Sequence, residues 1–220
     1  MATIRLIPST YTRSSTNRVT VTDASNMYNN TDHTSNYASI RGRNSSSSGP
    51  YYAFIHGFNF DSVPSDVIVN SFTIKIRCYK NSYLATGSSY RLRLASTPSN
   101  NSAISNTVLS SDIGTTSTVY TFPNGSLTWD TIKNYGSDFS VEIPLMSTSN
   151  QYPYLYVYGV EIEVDYSIPV YHNITASSNV SGIIINPTSE TVVESNDLTL
   201  TITSDGTPFI ITDNGNNVTS

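Results

Sequence analysis

The segment from Gln151 to Pro169, QYPYLYVYGVEIEVDYSIP, alternates with a period of two. One parity is aromatic and then aliphatic: Tyr152, Tyr154, Tyr156, Tyr158, Val160, Ile162, Val164 and Tyr166. The other parity is apolar at first, passes Gly159 and then becomes acidic: Leu155, Val157, Glu161, Glu163 and Asp165. Because successive side chains of a β-strand point to opposite faces, this pattern predicts one long strand with two unlike faces.

The tyrosines of this strand have two interpretations. Their continuity with Val160 and Val164 predicts that they lie on the inner face of a sheet, as core or core rim, with hydroxyls reaching water. The alternative places them on the open face, as a platform that stacks on sugar rings. That alternative needs a one-residue change of register, which a β-bulge at Gly159 would supply. The candidate glycan or partner contacts on this strand are Tyr152, Tyr154 and Tyr156.

The acidic end of the strand follows from the core interpretation. Leu155 and Val157 would be covered by a loop, a neighbouring subunit or a short helix, and the three carboxylates would emerge into solvent near a domain boundary. Carboxylates two residues apart on a strand lie about 6.5–7 Å from each other. Calcium takes about 6–8 oxygen ligands. We therefore expect a solvated acidic row and no metal site.

The rest of the first 168 residues also consists of short alternating segments separated by turns. The longest, 67–80, puts Phe72, Ile74, Ile76 and Cys78 on one face, with a bend near Asn70 and Ser71. In all, the pattern gives roughly nine or ten strands at short spacing, which is typical of an antiparallel sandwich or barrel. The other predicted strands cover 3–8, 17–23, 37–43, 51–60, 90–96, 118–122 and 138–146.

One segment, LTWDTIKNYGS (127–137), has helical character. Thr128 is a suitable N-cap, and Gly136 is a suitable stop. Leu127, Ile132 and Tyr135 are then expected to face inward. Trp129, the single tryptophan of the chain, lies in the first turn.

After residue 168 the pattern changes to three compact strands, in GIIINP, DLTLTIT and PFIITD. Their spacing suits half of an immunoglobulin-like sandwich. Asn214-Gly215 is a strong hairpin signal. We expect an incomplete second domain over 169–220, either because the sequence has been cut or because a partner completes it.

Charge and composition exclude several classes of function. The net charge is −5 and there is no basic stripe, which argues against nucleic-acid binding. Cys78 is the single cysteine, so no intramolecular disulfide can form, and we expect it to be buried. The N-terminus has no signal-peptide pattern, and no apolar run approaches the roughly 18 residues that span a membrane. A Ser/Thr/Asn-rich, Lys-poor chain without an export signal fits a virion protein that assembles in the cytoplasm and leaves by lysis.

No catalytic constellation is evident in the sequence. The three histidines are isolated, and His56, in phase with Phe54 and Phe58, is expected to be a satisfied interior or rim residue. Nucleophile, metal-protease and phosphate-loop motifs are absent, and no carboxylate pair is placed for glycoside hydrolysis. We therefore expect a protein that is not an enzyme and that has no catalytic residues, cofactor or metal.

Three stretches together resemble the jelly-roll domain of structural proteins from phages of Gram-positive and gut bacteria: FNFDSVPSDVIVNSFTIKIRC, LTWDTIKNYGSDFSVEI and YLYVYGVEIEVDY. The tail, from INPTSE onward, is similar to immunoglobulin-like repeats of phage head fibres and tail proteins. The resemblance covers 50–220. It implies an all-β protein, with an antiparallel jelly-roll-like sandwich over 1–168 and a partial immunoglobulin-like domain after it. Residues 1–50 would be an attachment or extra-strand segment.

The resemblance also implies a function. The chain would be a capsid decoration, head fibre or tail appendage of a virion, with other virion proteins and copies of itself as partners. Trp129 would be a structural plug over one end of the sandwich. The alternative is a carbohydrate-binding module for host or mucosal glycans, in which exposed tyrosines or Trp129 stack on sugar.

Overall fold

The computed structural model describes residues 1–14, 18–43, 50–99, 102–179, 181–194, 196, 198–206, 210–213 and 216–217. They form two compact units, Met1–Ser167 and Ile168–Ser220, which we call the first and second units. Strands predominate in both units, and the described residues contain one short α-helix. The prediction of an all-β fold is confirmed.

The first unit contains ten strands among its described residues. They are β1 (Ala2–Leu6), β2 (Thr10–Arg13), β3 (Thr20–Thr22), β4 (Ala38–Arg41), β5 (Tyr51–His56), β6 (Ile68–Lys80), β7 (Arg93–Ala95), β8 (Thr118–Thr121), β9 (Ser140–Leu145) and β10 (Tyr154–Ser167). Helix α1 spans Trp129–Tyr135. Short 3-10 helices span Ala24–Met27, Phe60–Ser62, Ser88–Tyr90 and Gly136–Asp138.

These strands form two antiparallel sheets. The long sheet has the order β3-β4-β10-β6-β8, with β1 also paired to β10, and the short sheet has the order β2-β5-β9-β7. Apolar side chains from both sheets form one continuous core, so the unit is a β-sandwich. Core residues include Ile40, Ile55, Ile74, Ile76, Leu94, Val141, Ile143, Leu155, Val157, Val160, Ile162 and Val164. The jelly-roll assignment stays a prediction.

Strand β10 is the spine of the long sheet. One edge pairs with β6 along almost its whole length. The other edge pairs first with β4, at 154–157, and then with β1, at 162–166. The gap between β4 and β1 is filled by the connection 28–37, which we call the strap. There the backbone N–H of Val160 donates to the carbonyl of Asn29 at 2.9 Å.

A β-bulge lies in the middle of this strand, where the register with β6 shifts between Val157 and Gly159. Before the bulge, Leu155 and Val157 point into the core. After the bulge, Val160, Ile162 and Val164 point into it. Tyr154, Tyr156 and Tyr158 are therefore on the outer face. The prediction that the tyrosines line the core is wrong, and the alternative with a bulge at Gly159 is the arrangement observed.

The close approach of the strap explains why a glycine stands at this bulge. A Cβ added to Gly159 would lie 2.2 Å from the carbonyl oxygen of Asn30 and 2.7 Å from that of Asn29. Only glycine leaves space for this backbone. The expected covering of Leu155 and Val157 by a loop, helix or subunit is wrong as well, because both belong to the core of the sandwich.

Strand β6 and helix α1 follow the sequence pattern closely. In β6, Ile74, Ile76 and Cys78 are fully buried, and a second register shift lies opposite Ser71, at the predicted bend. In α1, the Thr128 hydroxyl accepts a hydrogen bond from the N–H of Thr131 at 3.1 Å. Ile132 is buried, and Gly136 ends the helix with a positive φ of 58°.

The second unit consists of paired short strands: β11 (Tyr171–Thr175) with β13 (Ser189–Val193), β12 (Ile183–Asn186) with β14 (Thr201–Ser204), and β15 (Thr212–Asp213) with β16 (Asn216–Asn217). The predicted turn residues Asn214 and Gly215 lie outside the described residues. Of the side chains described in this unit, none is buried. Its immunoglobulin-like identity and its incompleteness stay predictions.

Candidate functional site: a tyrosine surface and a tryptophan cleft

The outer face of the long sheet carries an aromatic cluster before the bulge. Strand β10 contributes three rings, and Tyr79 of β6 pairs directly opposite Tyr156. The strap ends with Tyr37, and Arg41 of β4 lies opposite Tyr154. We call this cluster the tyrosine surface; its members are Tyr37, Tyr79, Tyr152, Tyr154, Tyr156, Tyr158 and Arg41.

The rings of the tyrosine surface pack against one another. Tyr79 stacks on Tyr156 with ring centroids 4.5 Å apart and planes at 18°. Tyr154 lies nearly parallel to Tyr156, at 5.8 Å and 6°. Tyr37 meets the group edge-on, at 5.0 Å from Tyr156, 5.6 Å from Tyr158 and 5.9 Å from Tyr79. These contacts cover ring faces that would otherwise be free to stack on a ligand.

Exposure is uneven across the surface. Tyr152 is 42% exposed and Tyr37 is 39% exposed, whereas the other four rings are half-buried. The guanidinium of Arg41 lies 4.7 Å from the centroid of Tyr152, at cation–π distance. Burial raises the pKa of Tyr79 and of Tyr156 above the usual tyrosine value, so both hydroxyls keep their protons into the alkaline range. The surface therefore offers uncharged hydroxyls that can donate and accept hydrogen bonds.

Beyond the bulge the same outer face is charged, and it is not solvated as predicted. Glu161 is only 1% exposed. Its carboxylate accepts from the Thr31 hydroxyl at 2.7 Å and from the Thr31 N–H at 3.3 Å. Glu163 lies 2.9 Å from Lys75 and 3.5 Å from Arg5. The prediction of a solvated acidic row is wrong, because neighbouring strands and the strap supply partners across the sheet.

The charged half also fixes the strap. Arg5 pairs with Asp32, and the Arg77 guanidinium donates to the carbonyl oxygen of Thr31. Arg5 also approaches Glu161, with Nε 3.8 Å from the carboxylate. These contacts hold the strap on both sides of Gly159. Its last residue, Tyr37, then lies on the tyrosine surface.

The second candidate is a cleft beside Trp129 at the start of α1, with a volume of 310 Å³. Trp129 is half-buried and contacts Phe60 and Phe72, with centroids at 5.7 and 6.0 Å. It therefore supports one end of the core and also lines the cleft. The remaining lining residues are Val63, Pro64, Ser65, Val67, Val69, Thr128, Asp130 and Lys133.

Two other polar side chains of the first unit, His56 and Glu142, have partners on neighbouring strands or loops. His56 is a rim histidine, as predicted: Nδ1 lies 3.2 Å from the carbonyl of Ser137 and Nε2 lies 2.8 Å from the Thr12 hydroxyl. Glu142 of β9 is fully buried and pairs with Arg93 of β7 at 2.5 Å. In the sequence each of these two residues is a charge between apolar neighbours, and only the sheet order brings Glu142 opposite Arg93.

Tyr37, Tyr79 and Arg41 were missed as members of the site. They come from three different segments, and no local pattern links them to β10. In the described part of the chain, no group of three or more His, Cys, Asp or Glu side chains is placed to hold a metal ion. Nor does any helix there have the length and apolar character needed to cross a membrane.

Comparison of the chain with protein-family models, with curated proteins and with solved structures finds no match.

Proposed function

We propose that this chain is a non-enzymatic structural component of a bacteriophage virion, and that copies of it associate through the tyrosine surface. The observation that carries the proposal is the aromatic cluster on the outer face of a two-layer sandwich. The outer face of an antiparallel sheet is ordinarily polar and wet. Half of this one instead carries six tyrosines, a residue type that is enriched in protein interfaces and their hot spots.

The strand order supports the jelly-roll part of the proposal. In such a fold the first and last strands of the motif are neighbours in one sheet, and the second and penultimate strands are neighbours in the other. Here β4 lies beside β10 and β5 lies beside β9. Jelly rolls are common in viral capsid proteins.

The charge balance of the first unit is compatible with a second copy of the chain as the occupant of the tyrosine surface. All 11 Lys and Arg residues lie in the first unit, and the acidic residues there balance them. Two first units therefore do not repel through net charge. Neutral tyrosine hydroxyls both donate and accept hydrogen bonds, so they can pair with the same groups on an identical surface.

Association is tested by native mass spectrometry and by sedimentation over a range of concentrations. The wild-type chain should form an oligomer. Tyr37→Ala or Tyr152→Ala should weaken its association and raise the dissociation constant about tenfold or more. Tyr171→Ala, at an exposed tyrosine of the second unit, is the matched control and should leave it unchanged. A wild-type chain that is monomeric at every concentration would contradict the proposal.

The virion assignment has its own experiment. Particles of the bacteriophage that encodes the chain should retain it through density-gradient purification, at a constant copy number per particle. Recovery of the chain only from the soluble fraction of the lysate would refute a structural role in the virion, whatever its oligomeric state.

Carbohydrate binding is the second candidate function. The mutual packing of the tyrosines weakens the sugar-platform version, because Tyr79 covers a face of Tyr156 and Arg41 lies over Tyr152. Trp129, which is partly buried and lines a cleft, favours carbohydrate binding at a different place. An array of bacterial and mucin-type glycans tests this candidate, and binding to none of them would leave only the structural role.

A further inference from the structure

The cleft beside Trp129 combines an indole face with a polar rim. Phe60 and Phe72 contact the indole at 61° and 53°, so neither phenyl ring is stacked parallel to it. Trp129 is partly buried and contributes to the cleft wall. An indole that lines a cleft can stack on the apolar C–H face of a ring-shaped ligand.

The remaining wall divides into an apolar part and a hydrogen-bonding part. Val63, Val67 and Val69 supply aliphatic contacts. Ser65, Asp130 and Lys133 are exposed and bring a hydroxyl, a carboxylate and an ammonium group to the rim. The two charges are opposite, so the rim has no net charge and suits a neutral ligand that carries several hydroxyl groups.

The size of the cleft limits the ligand further. Its volume of 310 Å³ lies at the lower end of the roughly 300–1,000 Å³ range of small-molecule pockets. One six-membered sugar ring fits such a space, whereas several linked rings would extend beyond it.

We infer that this cleft binds a single neutral pyranose ring, with its C–H face on Trp129 and its hydroxyls on Asp130 and Ser65. The inference rests on the second candidate function, carbohydrate binding, and names a site and a ligand class for it. It does not depend on association through the tyrosine surface.

The chain reports on this site by its own fluorescence, because Trp129 is its single tryptophan. Titration of the full chain with methyl glucoside, methyl galactoside and N-acetylglucosamine should give, for at least one of them, a saturable change in emission, with a Kd of about 1 mM. Acrylamide quenching of Trp129 should fall when the sugar is bound. The Tyr171→Ala variant, changed at an exposed tyrosine of the second unit and outside both candidate sites, should give the same titration.

Variants in the cleft separate this site from any other sugar site. Val67→Phe fills the cleft and Asp130→Ala removes a hydrogen-bonding group; each should weaken binding about tenfold or more, with thermal unfolding showing that the variants are folded. Saturable binding that both variants leave unchanged would overturn the site but not carbohydrate binding. Absence of any saturable change with the three sugars would overturn the inference, and a negative glycan array would then remove the second candidate function as well.

Discussion

The half of β10 before Gly159 and the half after it lie in the same sheet, yet their outer faces hold different chemistry. Before the bulge, tyrosines pack on one another and on Tyr37, and two of the rings remain well exposed. After the bulge, each carboxylate has a partner in β1, β6 or the strap. The charged half is satisfied within the unit, whereas the aromatic half leaves surface for contacts with another molecule.

This difference shows how one extra residue divides a sheet face into two functions. The bulge exchanges inner and outer parities, so the core continues without interruption while the outer face changes from aromatic to ionic. The charged half holds the strap, and the strap supplies Tyr37 to the aromatic half. The contacts of the charged half therefore support the geometry of the aromatic half.

The largest expected effect is that of Gly159→Ala. The added Cβ would collide with the backbone oxygen of Asn30, and neither backbone can move without loss of the strap contacts. We expect the free energy of unfolding to fall by about 3 kcal/mol, measured by urea denaturation. Gly114→Ala is the control, because its Cβ would meet only ordinary contacts, the nearest at 3.5 Å. Equal effects of the two substitutions would show that the strap does not pack on the bulge.

Glu161→Ala should have the next largest effect. It removes the carboxylate that accepts hydrogen bonds from the Thr31 hydroxyl and N–H. Both donors would then be buried without a partner. The expected loss is about 2 kcal/mol of unfolding free energy. Glu163→Ala, at a more exposed carboxylate of the same row, should cost less than about 1 kcal/mol. A larger loss for Glu163→Ala would contradict the difference in burial between the two side chains.

Double-mutant cycles compare the two halves directly. The coupling between Tyr79 and Tyr156, measured with leucine substitutions, should be about 1 kcal/mol and independent of salt. The coupling between Lys75 and Glu163, measured with alanine substitutions, should be about 0.5 kcal/mol and should vanish near about 1 M NaCl. Salt-sensitive coupling in the tyrosine pair would remove the distinction between the halves.

The smallest expected effect is on thermal stability at low pH. The Arg5 guanidinium lowers the pKa of Asp32, and the hydroxyls of Thr3 and Ser71 lower that of Asp165. A carboxyl with a lowered pKa in the folded state stabilises it above its unfolded pKa, and this contribution is lost as the pH falls. Wild-type Tm should therefore decline below about pH 4. Asp165→Asn should show a shallower decline, whereas Tyr156→Leu should keep the wild-type slope; an unchanged slope in Asp165→Asn would contradict the assignment.

Local features of the sequence determined much of the first unit. Alternation predicted most of its strands, the Thr128 cap and Gly136 stop predicted α1, and the periodicity of 72–78 predicted which face of β6 is buried. These features depend on residues within a few positions of each other, so the local sequence is enough to predict them. Strand β2 was missed, because TYTR is short and its partner is β5, more than thirty residues later.

The orientation of the tyrosines was decided by tertiary structure. The alternation of side chains in the sequence is the same whether the strand is regular or bulged. Because the tyrosines share a parity with Val160, the sequence favoured the inner face, whereas they lie on the outer one. The strap, more than a hundred residues earlier in the chain, lies against Gly159 and carries Thr31 to Glu161. A strand's parity is a local property, but which face is buried depends on what packs against it, and those residues are neighbours only after the chain has folded.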